Sequence, residues 1–358
     1  MRVRLVAWGD DESNTCDVQC PASRKHRPTP VCEGDLECPV SRKRLPCPTV
    51  NAAFQAKGLD AWRVDPEYSF KLSGVDPAST PEAPGERSKT DAGSVELRKR
   101  LKAVHDRFMA EKERSVLLVL QAMDGGGKDG TVKSLYLGMH PVGAEVTSWG
   151  VPSEDELDHD FLWRIHHRLP ARGKVGIFNR SHYEDVLAVR VRKLKPPSVW
   201  QHRYSIINNF EEGLVAEGTT VVKVMLHISR QEQANRLQAR IDRPDKRWKF
   251  RLGDLEDRQL WPSYQRAYDD VIERTSTEHA PWFVVPADKK WYRDFAVLTI
   301  LTNVLETMTP AYPPRLDLDG VVVPGAVREV PVEKAPKAAK EPKERNVPEE
   351  SDGAITDA

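Results

Sequence analysis

The chain has 358 residues, 39% hydrophobic and 30% charged, enough for one large α/β domain with flanking tails. Its 54 basic and 54 acidic residues cancel, so no global basic field exists to hold nucleic acid, and that class of partner is excluded. No run comes near the ~18 consecutive apolar residues that a membrane span needs.

The N-terminus, MRVRLVAWGDDES, lacks the apolar stretch of a secretory signal, which predicts a cytoplasmic protein. Cys16, Cys20, Cys32, Cys38 and Cys47 all lie in the first 50 residues, and the cysteine-free remainder fits a reducing compartment. Their spacings lack the C-x2-C pairs of strong zinc sites. Residues 1–55 are therefore read as a disordered Pro- and Cys-rich leader.

Residues 62–84, rich in turn formers, read as an extended arm of the kind that packs across a neighbouring surface or subunit. Leu97, Leu101, Val104 and Phe108 recur at helical steps, which predicts a helix over 94–112 with Ser94 as N-cap. SVLLVLQAM, residues 115–123, is a short apolar run before a glycine cluster and reads as a buried parallel strand. KVGIF (174–178), TTVVKVMLHIS (219–229) and WFVVPA (282–287) read likewise. Helical segments are expected at 154–168, 200–216, 231–240, 254–274 and 294–306. Strands alternating with helices imply a three-layer α/β/α domain with a parallel sheet over 56–310. The Ala-, Pro-, Lys- and Glu-rich residues 311–358 read as a disordered charged tail.

Chemistry concentrates in three places. AMDGGGKDGT, residues 122–131, follows the first strand. Gly125, Gly126, Gly127 and Gly130 let backbone N–H groups turn toward phosphate, with Asp129 and Thr131 at the helix start and Lys128 as a point charge. Against the pattern G-x4-G-K-[ST], Ala122 takes the first glycine's place and Asp129 the Ser/Thr's. The hydroxyl that usually holds Mg2+ is thus missing, and Asp124 is the natural replacement.

GIFNRSHYEDVL, residues 176–187, ends the second predicted strand, so its loop should share a crevice with the glycine loop. Arg180 suits a transferring phosphoryl group, and Glu184 and Asp185 suit Mg2+. Ser181 followed by Glu184 also reads as a capping box.

RLQARIDRPDKRWKFR, residues 236–251, carries Arg236, Arg240, Arg243, Lys246, Arg247, Lys249 and Arg251, with Pro244 breaking the helix. A mobile basic segment there suits a lid, about 232–258, closing over phosphates. Arg164 and Arg168 could meet acceptor phosphate, oriented by Asp158 and Asp160, while His159, His166 and His167 read as structural. Asp288 and Lys289 follow the last strand, where loops often touch a nucleotide base.

The segments FKLSGVDP, MDGGGKDGT, ELDHDFLWR, GIFNRSHYEDVL, HISRQEQANRL, RIDRPDKRWKF and APWFVVPADKKW, in this order, resemble the polyphosphate kinase 2 family over about 62–306. The family shares the P-loop kinase superfamily with thymidylate kinase. The resemblance implies transfer of a terminal phosphoryl group between inorganic polyphosphate and AMP or ADP, dependent on Mg2+, with Mn2+ as its alternative. By it, Lys128 and Arg180 contact transferring phosphate, Asp124 is a metal-site carboxylate, and the lid arginines grip polyphosphate. The FNRSHYED form, with Asn179 where ADP-directed relatives carry aspartate, looks like the subgroup that phosphorylates both AMP and ADP. A homo-oligomer, dimer or tetramer, is expected. The rival readings are an ATP-dependent nucleoside monophosphate kinase and a P-loop nucleotide switch.

Overall fold

SVLLVLQA is buried along its whole length as strand β1, Ser115–Ala122, because apolar residues cover both faces of a strand sandwiched between helices. Four more strands join it in one sheet among the described residues: β2 (Ala144–Ser148), β3 (Val175–Asn179), β4 (Thr219–His227) and β5 (Trp282–Pro286). All neighbours are parallel, in the order β2-β3-β1-β4-β5. The computed structural model describes residues 52–55, 58–314 and 316. The cysteines and nearly all of the expected leader and tail lie outside the described residues.

Among the described residues, ten α-helices connect and cover the strands. They are α1 (Arg87–Glu111), α2 (Lys128–Tyr136), α3 (Glu154–Leu157), α4 (Trp163–His166), α5 (Ala188–Val191), α6 (Pro197–Ala216), α7 (Arg230–Asp242), α8 (Gly253–Gln259), α9 (Trp261–Thr275) and α10 (Lys290–Thr307). In α9, Tyr264, Ala267, Tyr268, Val271, Ile272 and Thr275 form one buried stripe, the spacing expected of a helix lying on a sheet. Among the described residues, no helix is long and apolar enough to cross a membrane.

Three expectations are corrected. The first helix starts at Arg87, not Ser94; Ser94 is buried inside it and its hydroxyl donates to Thr90 O. The segment expected as one helix over 154–168 is two single turns, α3 and α4. Strand β2 was not expected, since its burial is broken: Glu145, Val146 and Ser148 are exposed at a sheet edge.

The arm packs on its own chain. Val64 N donates to Trp282 O and Val284 N to Trp62 O, both at 2.8 Å, so the arm covers the β5 edge. A covered edge cannot template pairing with another chain. Ala52–Gln55, expected within the leader, form a 3-10 turn whose Phe54 is buried against Phe283.

Candidate active site

β1 ends at Ala122, the chain turns through the glycines, and α2 begins at Lys128. Gly127 caps that helix at φ 102°, in left-handed space, where a side chain is strained. A Cβ on it would also lie 1.9 Å from Nη1 of Arg293. Arg236 holds the loop from the other side: its Nη1 donates to Gly125 O and Gly126 O, both at 3.0 Å. Gln233 Nε2 donates to Asp124 O at 2.9 Å. Protein donors thus fix the loop's carbonyls and its shape.

β3 lies beside β1, with Leu120 opposite Asn179, and Arg180 N donates to Leu120 O. This register brings the two loops into one crevice. Arg180, at φ 65°, points its guanidinium at Asp124 Oδ1 (2.6 Å) and Glu184 Oε2 (3.4 Å). A non-glycine residue in that backbone region marks a position held by its surroundings. Glu184 and, less strongly, Asp124 raise Arg180 further above its usual value, keeping it charged. Burial alone would raise Asp124, yet Arg180, Lys128 and Arg240 together hold its carboxyl below the ordinary range.

Lys128 is 8% exposed. Its ammonium makes one hydrogen bond among the described residues, to Ala122 O at 2.8 Å. Burial, then repulsion from Arg180, pushes it down to about 8. A buried cation with spare donors beside a glycine loop is suited to an anion.

Asp129 ties the lid to this floor. Its Oδ1 accepts from Asn179 Nδ2 (2.9 Å) and its Oδ2 from Lys249 Nζ (3.1 Å). Burial would raise its carboxyl, but these two donors bring it below the usual value. The lid helix α7 ends at Asp242, and Pro244–Lys249 form a 3-10 turn, as Pro244 predicts. Arg240 pairs with Asp254 of α8 at 3.0 Å. Arg243 is exposed and paired with Asp245, Lys246 is half-buried, and Arg247 is exposed.

Several expected site residues lie elsewhere. Asp185 is buried against Arg203 (2.9 Å) and Arg164 (3.8 Å), away from Arg180. Ser181 starts a 3-10 turn over His182–Asp185, and adjacent positions on a helical turn, Glu184 and Asp185 here, do not face the same way. Burial raises the Asp185 carboxyl, only partly offset by those arginines. The capping box is absent: Ser181 Oγ accepts from Tyr183 N. Arg164 is buried over the Trp149 ring, bonded to Gly150 O and Glu156, so Glu156 and Asp185, not Asp158 or Asp160, orient it. Arg236 is occupied by five acceptors: Glu232 and the carbonyls of Gly125, Gly126, Ala287 and Asp288. Thr131 is sealed inside α2 with its hydroxyl aimed at Gly127 O, and Gly130 is packed under Arg293. Asp288 Oδ1 accepts from Ser229 N. His159 stacks on Trp163, while His167 meets Trp163 and His166 meets Phe210 edge to face.

Two contributors escaped the sequence reading. Gln121, buried at the end of β1, binds Ser181; with its amide nitrogen turned toward Glu184 it donates to Glu184 Oε1 at 3.1 Å and accepts from Ser181 N and Oγ. Its signal was a lone amide in an apolar strand, which must find partners. Arg293 lies inside α10, one residue ahead of the helix expected over 294–306.

Among the described residues no group of three or more His, Cys, Asp or Glu is placed to hold a metal. The two carboxylates flanking Arg180 nonetheless suit Mg2+, which takes one or two carboxylates and completes its shell with water and substrate phosphate.

The family described as Polyphosphate kinase 2 (PPK2) matches residues 85–313. An AMP/ADP-polyphosphate phosphotransferase of Meiothermus ruber is 51% identical over 252 residues, spanning 70% of this chain and 94% of the relative. An ADP-polyphosphate phosphotransferase of Rhodopseudomonas palustris is 43% identical over 226 residues, 60% and 78% of the two chains. The crystal structure of polyphosphate kinase 2 from Arthrobacter aurescens TC1 superposes with TM-score 0.69 at 43% identity, covering 72% of this chain and 91% of that one. With the glycine loop, Arg180 and the lid on one P-loop kinase sheet, this chain belongs to the polyphosphate kinase 2 family.

Proposed function

We propose that the chain moves a terminal phosphoryl group between inorganic polyphosphate and AMP or ADP by in-line displacement, without a covalent enzyme intermediate. The observation that carries this reading is the convergence of Lys128, Asp124 and Arg180 at the ends of β1 and β3. Lys128, with donors to spare, binds the phosphate undergoing transfer. Arg180, fixed by Asp124 and Glu184, neutralises charge building on the equatorial oxygens. The acceptor phosphate is already ionised near neutral pH, so positioning replaces a strong general base. Arg240, Arg243, Lys246, Arg247 and Lys249 supply the lid cations for a polyanionic chain. Asn179, a neutral amide where a carboxylate would repel, supports acceptance of AMP as well as ADP.

Asp124 and Glu184 are the residues that would hold Mg2+. When bound, Mg2+ or Mn2+ supplies charge neutralisation of the phosphoanhydride. Chelating divalent ions is expected to abolish transfer, and Asp124→Asn to raise the Mg2+ concentration giving half-maximal rate about tenfold or more. An unchanged requirement in that variant excludes Asp124 as a ligand.

The decisive assay mixes AMP or ADP, Mg2+ and polyphosphate with no ATP. New ADP or ATP supports the reading. Transfer only when ATP is the donor supports an ordinary nucleotide kinase, and nucleotide binding without transfer supports a switch. The reading includes a cytoplasmic setting, where adenine nucleotides are held, tested by cell fractionation. It also includes assembly as a dimer or tetramer. Supporting assembly, the edge strand β2 and the segment before it expose Leu137, Val142 and Val146; light scattering that returns a single-chain mass counts against it.

A further inference from the structure

Behind the turn that carries Arg180 and Glu184 lies a second charge cluster, sealed from solvent. Glu211 of α6 and Lys223 of β4 pair at 2.6 Å, and neither side chain has any exposure. Lys223 Nζ also donates to Thr275 O (2.5 Å) and Tyr183 Oη (3.1 Å). Glu211 Oε1 accepts from Tyr183 Oη at 2.8 Å and lies 3.2 Å from His182 Nε2. Two of these partners, His182 and Tyr183, belong to the turn between Arg180 and Glu184.

Burying an ion pair is costly, and well-packed apolar residues of similar volume often do as well or better for stability. Stability alone therefore gives little reason for a Lys–Glu pair inside this core. Placement gives one. Arg180 sits at φ 65°, and such a residue persists only where the surroundings over-determine it. Gln121 grips Ser181 and Glu184 from the β1 side. The Glu211–Lys223 pair grips His182 and Tyr183 through α6 and β4.

We propose that Glu211 and Lys223 are positioning residues for phosphoryl transfer, anchoring Tyr183 and His182 so that the turn presents Arg180 and Glu184 to the substrate. The inference rests on the reading that Arg180 stabilises the transferring phosphoryl group. A misplacement of about 1 Å can cost up to ~100-fold in rate, so the anchor's loss should register in kcat.

The test uses the full chain with polyphosphate, ADP and Mg2+, and four variants: E211Q/K223M, Tyr183→Phe, Arg180→Ala, and Arg180→Ala combined with E211Q/K223M. E211Q/K223M removes both charges together and leaves none unpaired. The expected result is a kcat about tenfold lower, with KM for ADP and polyphosphate within about twofold and melting within a few degrees of the parent. Tyr183→Phe, which deletes one hydroxyl, should lower kcat in the same direction by about threefold or more. In the Arg180→Ala background the further loss from E211Q/K223M should shrink to what Glu184 alone accounts for, because Arg180, the larger part of what the anchor holds, is already gone. Parental kcat in Tyr183→Phe and in any folded E211Q/K223M overturns the proposal, as does a loss that multiplies undiminished in the Arg180→Ala background. Parental kcat in Arg180→Ala alone overturns the reading of Arg180, and the proposal with it, by a signature of its own.

Discussion

Arg236 and Arg243 stand seven residues apart in one basic segment, yet they hold opposite kinds of position. Arg236 is 8% exposed, with its guanidinium between Glu232 and four carbonyls of the glycine loop and the β5 end. Arg243 is exposed, and its ion pair is to Asp245, two residues along. An arginine with every donor engaged is part of the scaffold, whereas one with a single solvent-exposed partner can exchange it for an incoming polyanion at little cost. A run of like charges can therefore contain both a brace and a grip. Lys128 is the third case: as buried as Arg236, but with one protein acceptor among the described residues. Burial with donors to spare is the mark of a ligand site.

The sharpest way to break this comparison is at Lys128. Lys128→Ala is expected to lower kcat by about a thousandfold or more, since it removes charge stabilisation made in the transition state. Its melting temperature should stay level or rise, because a buried cation has been deleted. A variant that melts early and keeps its kcat would place Lys128 with Arg236, in the scaffold.

Arg236→Ala comes next. It strands the carbonyls of Gly125, Gly126, Ala287 and Asp288, and unmet buried acceptors cost about 1–3 kcal/mol each before relaxation. A loss of about 2–4 kcal/mol in urea unfolding is expected, with kcat falling as the loop loses its shape. Arg236→Lys should not rescue it, since an ammonium cannot fork across four carbonyls. Arg243→Ala should instead leave melting unchanged and raise KM for polyphosphate a few-fold, an effect that shrinks at high salt; Arg243→Lys should retain most of the parental affinity. Equal behaviour of the two alanine variants dissolves the distinction.

That distinction was not visible along the chain, and the reason is physical. The strands β1, β3, β4 and β5 were legible because burial on both faces forces continuous apolar runs. The edge strand β2 was not, because Glu145, Val146 and Ser148 face water and its pattern resembles a loop. The glycine loop, Arg180 and the Pro244 break were legible because each needs a particular residue type at a particular place. Whether Arg236 turns inward depends on the β5 end, 51 residues away in sequence at Ala287, which no local spacing encodes. Asp185 failed for a smaller reason: as Glu184's immediate neighbour on one helical turn it faces another way, toward Arg203. Lys223 did leave a trace, as a lone charge in VVKVML. A charge in a strand buried on both faces must have a buried partner, though its sequence does not say which.

The smallest predicted effect concerns the proton on Lys128. Burial and Arg180 push its ammonium from the ordinary 10.5 down to about 8 in the folded chain. Below about pH 8 both folded and unfolded chains carry this proton, and the penalty for burying the charge is fully present. Between about 8 and 10.5 the unfolded chain binds the proton more tightly, so this group's contribution makes stability rise with pH across that window. Phosphate bound at Lys128 favours the ammonium again, so binding must draw in a proton where the free enzyme has lost it. Calorimetric titration with tripolyphosphate at pH 8.5, in two buffers of different ionisation enthalpy, should show uptake of about half a proton or more per site. The difference should fade at pH 6.5 and be absent in Lys128→Met. Identical heats in both buffers at pH 8.5 would mean that phosphate does not meet Lys128, and the ligand-site half of the comparison would lose its buried member.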